Sequence, residues 1–238
     1  MSEGCWQRTG EGEGAALGPL LARASFEAAQ ARLGGEGEAG ALRTRRALAR
    51  AALELSGEVG YDGVTVGALV ARAEANRERF YRTFASKEAC WLAAYRCGIE
   101  ELGERLLGAC ARGRDWAAGI GEALEELADF LDAEPALARG LLAEVYVAGP
   151  AALATRKSVC GRLSRAIDRG REEAPAHYSP PPAITAEFLL GGIEADVRRS
   201  LLADPAGFRA EAPGLQRLAV VLYFGAEEAR RRLAGGGR

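Results

Sequence analysis

Apolar residues recur along almost the whole chain at three- and four-residue steps, the period of a helix with one buried face, and strand-like alternation is nearly absent. From Ala41 onward the pattern hardly breaks. Leu48, Ala52, Leu55 and Val59 fall on one face, and Gly60 can end that helix in the left-handed region. Two short segments follow between Thr65 and Phe84. Val66, Leu69 and Val70 define the inward side of the first, which ends near Ala73. Asn76 stands where it can cap the second, anchored by Phe80 and Phe84. Longer helices are predicted over Lys87–Ala111, Asp115–Asp132, Pro135–Ala148, Ala151–Glu173, Ala183–Leu202 and Pro213–Leu233. Ser86 and Asp115 read as N-caps and Pro135 as a first-turn residue. Gly149-Pro150, Pro180-Pro181-Pro182 and Asp204-Pro205 read as breaks. The fold class predicted is all-α.

Composition narrows this further. With 48% hydrophobic and 27% charged residues the chain is an ordinary globular sequence, not a disordered or collagen-like one. The first 40 residues differ. Gly10–Gly14 and Gly34–Glu38 are Gly/Glu stretches flanking a short helix from about Leu20 to Leu33, with too little apolar surface to offset ordering entropy, so residues 1–40 are expected to be a mobile arm. The longest clear apolar run, Leu218 to Phe224, is far too short to span a bilayer, and the start carries Glu3, Glu11 and Glu13 in place of a basic flank. A cytoplasmic chain with no membrane partner is expected. Five cysteines, with no CxxC spacing, fit neither a disulfide framework nor a zinc ribbon. His177, in a Pro-rich loop, is the one histidine, and HExxH and GxSxG are missing. No metal, no cofactor and no enzymatic activity are expected.

Charge is uneven. Residues 41–95 hold nine basic side chains against six acidic ones, a local surplus of three on a chain whose net charge is -2. A cationic module on a mildly acidic body is the layout of a polyanion-binding head with a body that does something else, and equally of a solvated helix face. The segment Thr65 to Phe84 gives that surplus a shape. If Phe80 and Phe84 are buried, Arg77, Glu78, Tyr81 and Arg82 face solvent with Arg79 to one side. Arginine can read guanine and a carboxylate can accept from cytosine N4 in a major groove, while Tyr81, Thr83 and Lys87 suit phosphates. Two packed helices with a solvated face would look the same.

The motifs Gly60-Tyr61-Asp62-Gly63-Val64-Thr65-Val66, Phe80-Tyr81-Arg82-Thr83-Phe84 and Ser86-Lys87-Glu88-Ala89 make residues 45–95 resemble the DNA-binding domain of the TetR family of transcriptional regulators. The resemblance implies a three-helix helix-turn-helix domain at 41–90 joined to a larger helical ligand-binding and dimerisation domain at 91–238. It implies that Thr65 holds a phosphate at the start of the second helix, that Arg77, Glu78 and Arg79 read bases, and that Tyr81 and Lys87 grip the backbone. Two positions depart from the family pattern. Glu74-Ala75-Asn76 stands where Gly-Val-Ser is common, which puts a carboxylate residue at a turn that favours positive φ, and Glu78 replaces a small residue.

For the body, the resemblance implies a homodimer on an inverted-repeat operator of double-stranded DNA, released by an unknown small-molecule effector. Ile184, Phe188, Gly191, Gly192 and Ala195 form one apolar stripe and Leu215, Leu218, Leu222 and Tyr223 another. These are candidates for the dimer interface, and without a partner would be intrachain core. Phe130, Leu131 and Leu142 are candidate pocket lining, with Glu144 and Tyr146 as its polar groups. Cys90 and Cys97 share a face of the helix expected to pivot, so they are either inert buried thiols or a redox input. The function implied is a sequence-specific DNA-binding regulator, a repressor by preference. The alternative is a dimeric helical ligand-binding protein that has lost DNA binding, which Glu74 and Glu78 keep open.

Overall fold

The computed structural model describes residues 36–179, 181–203 and 207–234. Every regular element among them is helical: α1 (Glu36–Val59), α2 (Val66–Arg72), α3 (Arg77–Thr83), α4 (Lys87–Arg112), α5 (Trp116–Ala133), α6 (Pro135–Leu142), α7 (Pro150–Asp168), α8 (Thr185–Ala203), α9 (Gly207–Phe224) and α10 (Ala226–Ala234). One-turn 3₁₀ segments follow α6 at Glu144–Tyr146 and α7 at Arg169–Arg171. The helix expected near Leu20–Leu33 lies outside the described residues. The expected arm reached residue 40, whereas α1 already starts at Glu36.

Two compact units are formed, one of residues up to 101 together with 133–156, the other of 102–132 together with 157–238. The segment carrying α6 packs with the head and belongs to the first unit. In the first unit α1 buries Leu48, Ala49, Ala52, Leu53 and Leu55, while Val59, expected on the same face, is turned to solvent beside the helix-ending Gly60. Gly60 has φ of 80° and donates its N–H to the Ser56 carbonyl at 2.9 Å, as a left-handed terminating residue should.

The crossing of α1 and α6 is backbone against backbone. A Cβ on Gly57 would fall 1.8 Å from the Ala136 carbonyl oxygen, and one on Gly140 would fall 1.9 Å from that of Leu53. No other residue fits at either place, so two mid-helix glycines fix how closely α6 lies on the first helix of the head. Around them Trp91 Nε1 donates to Ser56 Oγ at 3.0 Å, and that hydroxyl donates to the Leu53 carbonyl at 2.9 Å. Trp91 also stacks on Tyr95, with ring centroids 5.2 Å apart, and meets Tyr61 edge-on. A buried polar handle satisfied in this way specifies the packing as well as contributing apolar area.

The second unit is organised on Trp116, whose ring packs against Tyr223 and Phe224 at 4.9 and 5.3 Å. Gly170 lies so close beneath that a Cβ there would meet the indole at 2.7 Å. The start of α5 is capped twice, by Asp115 Oδ1 accepting from Ala118 N at 2.8 Å and Glu173 Oε1 accepting from Trp116 N at 3.0 Å. Buried Glu126 is compensated by Arg105 at 2.7 Å and Arg112 at 3.3 Å.

Helix ends in this unit depart from expectation for tertiary reasons. Pro213 was expected to open the last helix, yet α9 begins at Gly207 and carries the proline inside. The six residues before it are held by Phe208, fully buried, and by Arg209, which bridges Glu125, Asp129 and Asp132 of α5 at 3.1, 2.5 and 2.6 Å. Those contacts offset the hydrogen bond the proline cannot donate. The last helix is also broken at Gly225, where φ is 81° and the Tyr178 ring occupies the space a side chain would need.

Candidate nucleic-acid interface

The helix-turn-helix is built from local rules. Thr65 adopts extended backbone and its hydroxyl accepts from Ala68 N at 3.1 Å, capping α2. At the far end Ala75 N donates to the Val70 carbonyl at 2.9 Å and Glu74 N to that of Ala71 at 3.4 Å, the paired bonds of a Schellman turn. Glu74 is the left-handed residue of that turn, with φ of 49°, the one non-glycine with positive φ among the described residues. Asn76 then caps α3, its Oδ1 accepting from Arg79 N at 2.8 Å.

Burial sets the face of α3. Phe80 and Phe84 are buried, their ring centroids 6.1 Å apart, and Phe80 meets Tyr81 edge-on at 5.3 Å. The anchors turn Arg77, Glu78, Arg79, Tyr81 and Arg82 outward, with Tyr81 57% exposed. Glu78 and Arg82 are paired across one turn at 2.6 Å. Both ends are exposed, so the pair adds a few tenths of a kcal/mol at most, but it balances the Glu78 carboxylate on its own helix. Thr83 spends its hydroxyl on the Arg79 carbonyl at 2.8 Å. Arg77 reaches toward α2, where its guanidinium and the Thr65 hydroxyl both lie 3.8 Å from the place a Cβ on Gly67 would occupy. Gly67 was not singled out from the sequence; only the fold shows that Thr65 and Arg77 converge over it.

Lys87 sits differently from a free phosphate clamp. Its ammonium donates to the Val64 carbonyl at 2.9 Å and the Asp62 carbonyl at 3.2 Å and lies over the Tyr61 ring. It therefore ties the start of α4 to the loop leading into α2. That loop is held from the other side by Glu144, whose Oε2 accepts from Tyr61 N at 2.8 Å. Glu144 was expected as a polar group in a pocket, but it is committed to the head. Arg72 is tied down as well, bonded to Glu58 at 2.8 Å, and that bond holds the Glu58 carboxyl below its ordinary range.

The remaining candidates fall in separate places. Tyr146 is exposed and carries Arg156 over its ring, and Leu142 is half-buried, both in the first unit. Phe130 and Leu131 are buried in the second unit as core side chains. Ile184, Phe188, Gly191, Gly192 and Ala195 all face solvent, and beyond either glycine there is open space. Leu218 is exposed, and Leu215 and Leu222 are half-buried. Tyr223 is a correction: it is fully buried, its hydroxyl donating to Asp168 Oδ1 at 2.9 Å, and belongs to the core around Trp116 rather than to an outer stripe. Of the cysteines, Cys90 and Cys110 carry free thiols, and Cys160 Sγ donates to Glu194 Oε1 at 3.1 Å. Burial pushes the Cys90 thiol up to about 12, so it is not a reactive thiolate.

A capped helix, a tight turn and a second capped helix held out on buried phenylalanines, on an all-helical chain, define a DNA-binding protein of the helix-turn-helix class. Residues 48–94 match the family described as bacterial regulatory proteins, tetR family. No curated protein matches the sequence significantly. Among solved structures, the fatty acid degradation regulator FadR from Bacillus halodurans is similar with TM-score 0.66 and 14% identity, covering 79% of this chain and 97% of its own. A TetR family regulator from Marinobacter aquaeolei VT8 is similar with TM-score 0.60 and 21% identity, over 74% and 93%. FadR from Bacillus subtilis, in complex with stearoyl-CoA, is similar with TM-score 0.62 and 14% identity, over 74% and 97%. Residues 48–94 thus carry the DNA-binding domain of that family, and the solved structures show that the chain shares their all-helical fold. No single helix among the described residues is long and apolar enough to cross a membrane.

Proposed function

We propose that this chain is a homodimeric repressor that binds an inverted repeat through α3 and leaves it when a small molecule occupies the body. The observation that carries the DNA half is the outward face of α3, charged and hydrogen-bonding, on two buried phenylalanines. In this reading Arg77, Glu78 and Arg79 read base edges, Asn76 sets the helix start, and Thr65, Tyr81, Arg82 and Thr83 position the duplex through phosphates. Lys87 acts by holding the loop before α2. The dimer half rests on the apolar stripe that runs from Ile184, just before α8 and 66% exposed, to Phe188 on it, 73% exposed, together with Leu215, Leu218 and Leu222 of α9. Two such helices from each copy bury that surface and pair the two recognition helices, as two half-sites require. The chain needs no catalytic group for this role and works where DNA is, in the cytoplasm.

The effector half is the least specified. Phe130 and Leu131 remain the candidates for an apolar wall; a ligand that binds the DNA-free form more tightly by about 1–3 kcal/mol is enough to release the operator. The test is selection of duplexes from a random library by the full chain, followed by a gel shift at two salt concentrations. Recovery of an inverted repeat, bound specifically and with affinity falling steeply with salt, supports the reading. Recovery of no preferred sequence contradicts it and favours a ligand-binding protein without DNA activity.

A further inference from the structure

The turn between α4 and α5 is held by main chain, and it carries two arginines with donors to spare. A Cβ on Gly113 would lie 2.1 Å from the main-chain nitrogen of Gly119, and one on Gly119 would lie 2.3 Å from the Cys110 carbonyl oxygen. The two helices therefore meet backbone to backbone, and Arg112 and Arg114, on either side of Gly113, are placed by that contact. Next to them α5 contributes only the small residues Ala117, Ala118 and Gly121. Gln216 of α9 occupies the space a side chain on Gly121 would need, and its amide donates to the Ala117 carbonyl at 2.8 Å. Arg232 and Leu233 of α10 complete the lining of a groove of about 470 Å³, the size of a small-molecule site, contained in the second unit. Neither Phe130 nor Leu131 lines it.

We propose that this groove binds a small organic monoanion, a carboxylate with a compact apolar body, whose charge is held by Arg112 and Arg114. The partners of the lining residues decide which groups remain for a ligand. Arg232 directs Nε to Glu228 at 2.9 Å and Nη1 to Glu173 at 3.2 Å and lays its flat face on the Phe224 ring, so it is wall. Asp115 caps α5, and Glu125 is bonded to Arg209 at 3.1 Å. Arg112 and Arg114 are engaged only at their margins. Arg112 reaches Glu126 through Nη2 alone, at 3.3 Å, where Arg105 is already closer at 2.7 Å, and Arg114 meets Asp115 through Nε alone, at 3.5 Å. Each side chain is more than half exposed and keeps N–H groups for another acceptor, and a guanidinium fork matches the two oxygens of a carboxylate. Glu122 also lines the groove, exposed and with no ionic partner among the described residues. It opposes a second negative charge, which favours a monoanion over a phosphate. Small side chains on α5 leave room for the apolar body.

The experiment uses the full chain without DNA, so its outcome is independent of the reading of α3. Fluorine NMR follows para-fluorobenzoate and its neutral counterpart para-fluorobenzamide, with inorganic phosphate as a competitor. Expected is saturable broadening of the carboxylate signal, little effect on the amide and weak displacement by phosphate. Arg114→Gln and Arg112→Gln should each weaken carboxylate binding by about tenfold, and Glu122→Gln should strengthen it by about two- to threefold, because the repulsion is gone. Packing roles for these residues would not move affinity in opposite directions with the sign of the charge removed. Arg77→Gln, on α3, should change nothing. Should Arg112→Gln lower the Tm by releasing Glu126, Arg114→Gln, which leaves that pair intact, decides. Equal binding of the two probes overturns the proposal, as does the absence of saturable carboxylate binding to the wild-type chain. Loss of binding in Arg77→Gln with Arg114→Gln unaffected also overturns it, since that would place the anion on α3.

Discussion

α3 and α8 each bury one face and expose another, and the outward face of α3 and the apolar stripe along α8 are chemical opposites. On α3 the outward side is Arg77, Glu78, Arg79, Tyr81 and Arg82; on α8 an exposed apolar stripe of Phe188, Gly191, Gly192 and Ala195, led by Ile184 just before the helix, runs beside exposed Glu187, Arg198 and Arg199. A face of arginines and tyrosine at the end of a capped helix is costly to desolvate except against a polyanion that replaces water with phosphate and base edges. A face of isoleucine, phenylalanine and bare glycine gains from any apolar surface that fits it and offers nothing to a charged one. The difference teaches that partner class is written on the exposed half of a helix, and that the buried half says only how the exposed half is aimed.

The largest effect that would break the comparison is on α8. Phe188→Arg puts a charge in the proposed subunit contact, so sedimentation should give a monomer and operator binding should fall by more than a hundredfold, with helical content unchanged. A stable dimer in that variant would mean the stripe is not the interface. On α3 the matching test removes an anchor: Phe80→Ala should destabilise the chain by about 3–5 kcal/mol, read by denaturant unfolding, because a fully buried ring leaves a cavity. Arg77→Ala is subtler. It should leave the fold intact and relax preference at one base pair by about 1–3 kcal/mol, whereas Tyr81→Phe should weaken all sequences alike. The reverse pattern would exchange the roles of reader and positioner.

Smaller still is Glu74→Gly, which relieves a side chain in left-handed backbone and should raise stability by about 1 kcal/mol without altering operator preference. Finally, the Cys90 thiol, pushed up to about 12, should resist iodoacetamide at pH 8 until the chain is unfolded. The sign is that burial disfavours the thiolate, so the folded form keeps the proton at a pH where an exposed thiol has begun to lose it. Labelling at the rate of an exposed cysteine would contradict the buried placement.

How much of this was legible in the sequence follows from the range of each interaction. The cap at Asn76, the ending at Gly60 and the pair Phe80 and Phe84 are set within a few residues and were readable from spacing; the unusual turn at Glu74 was readable from the family resemblance, and the capping bond of Thr65 is seen only in the structure. The seam between α1 and α6 was not. Gly57 and Gly140 stand in mid-helix, where nothing nearby hints that a distant backbone passes within contact of them. Arg209 gave no sign that it would hold a helical stretch ahead of Pro213, nor Glu144 that it would accept from a main-chain N–H in the head. Tyr223 has the spacing of the outer stripe, and only Trp116 and Asp168 turn it inward. Periodicity assigns a residue to a face; which neighbour covers that face is a tertiary fact.

The central claim is that two copies of the α3 face sit on one duplex, held apart by the α8 and α9 contact. The most direct measurement is the mass of the complex between the full chain and its selected duplex, by light scattering, with footprinting of the same sample. The account predicts two chains per duplex and two protected blocks centred about one helical turn, 34–36 Å, or a multiple of it apart. One chain per duplex with a single protected block would contradict it.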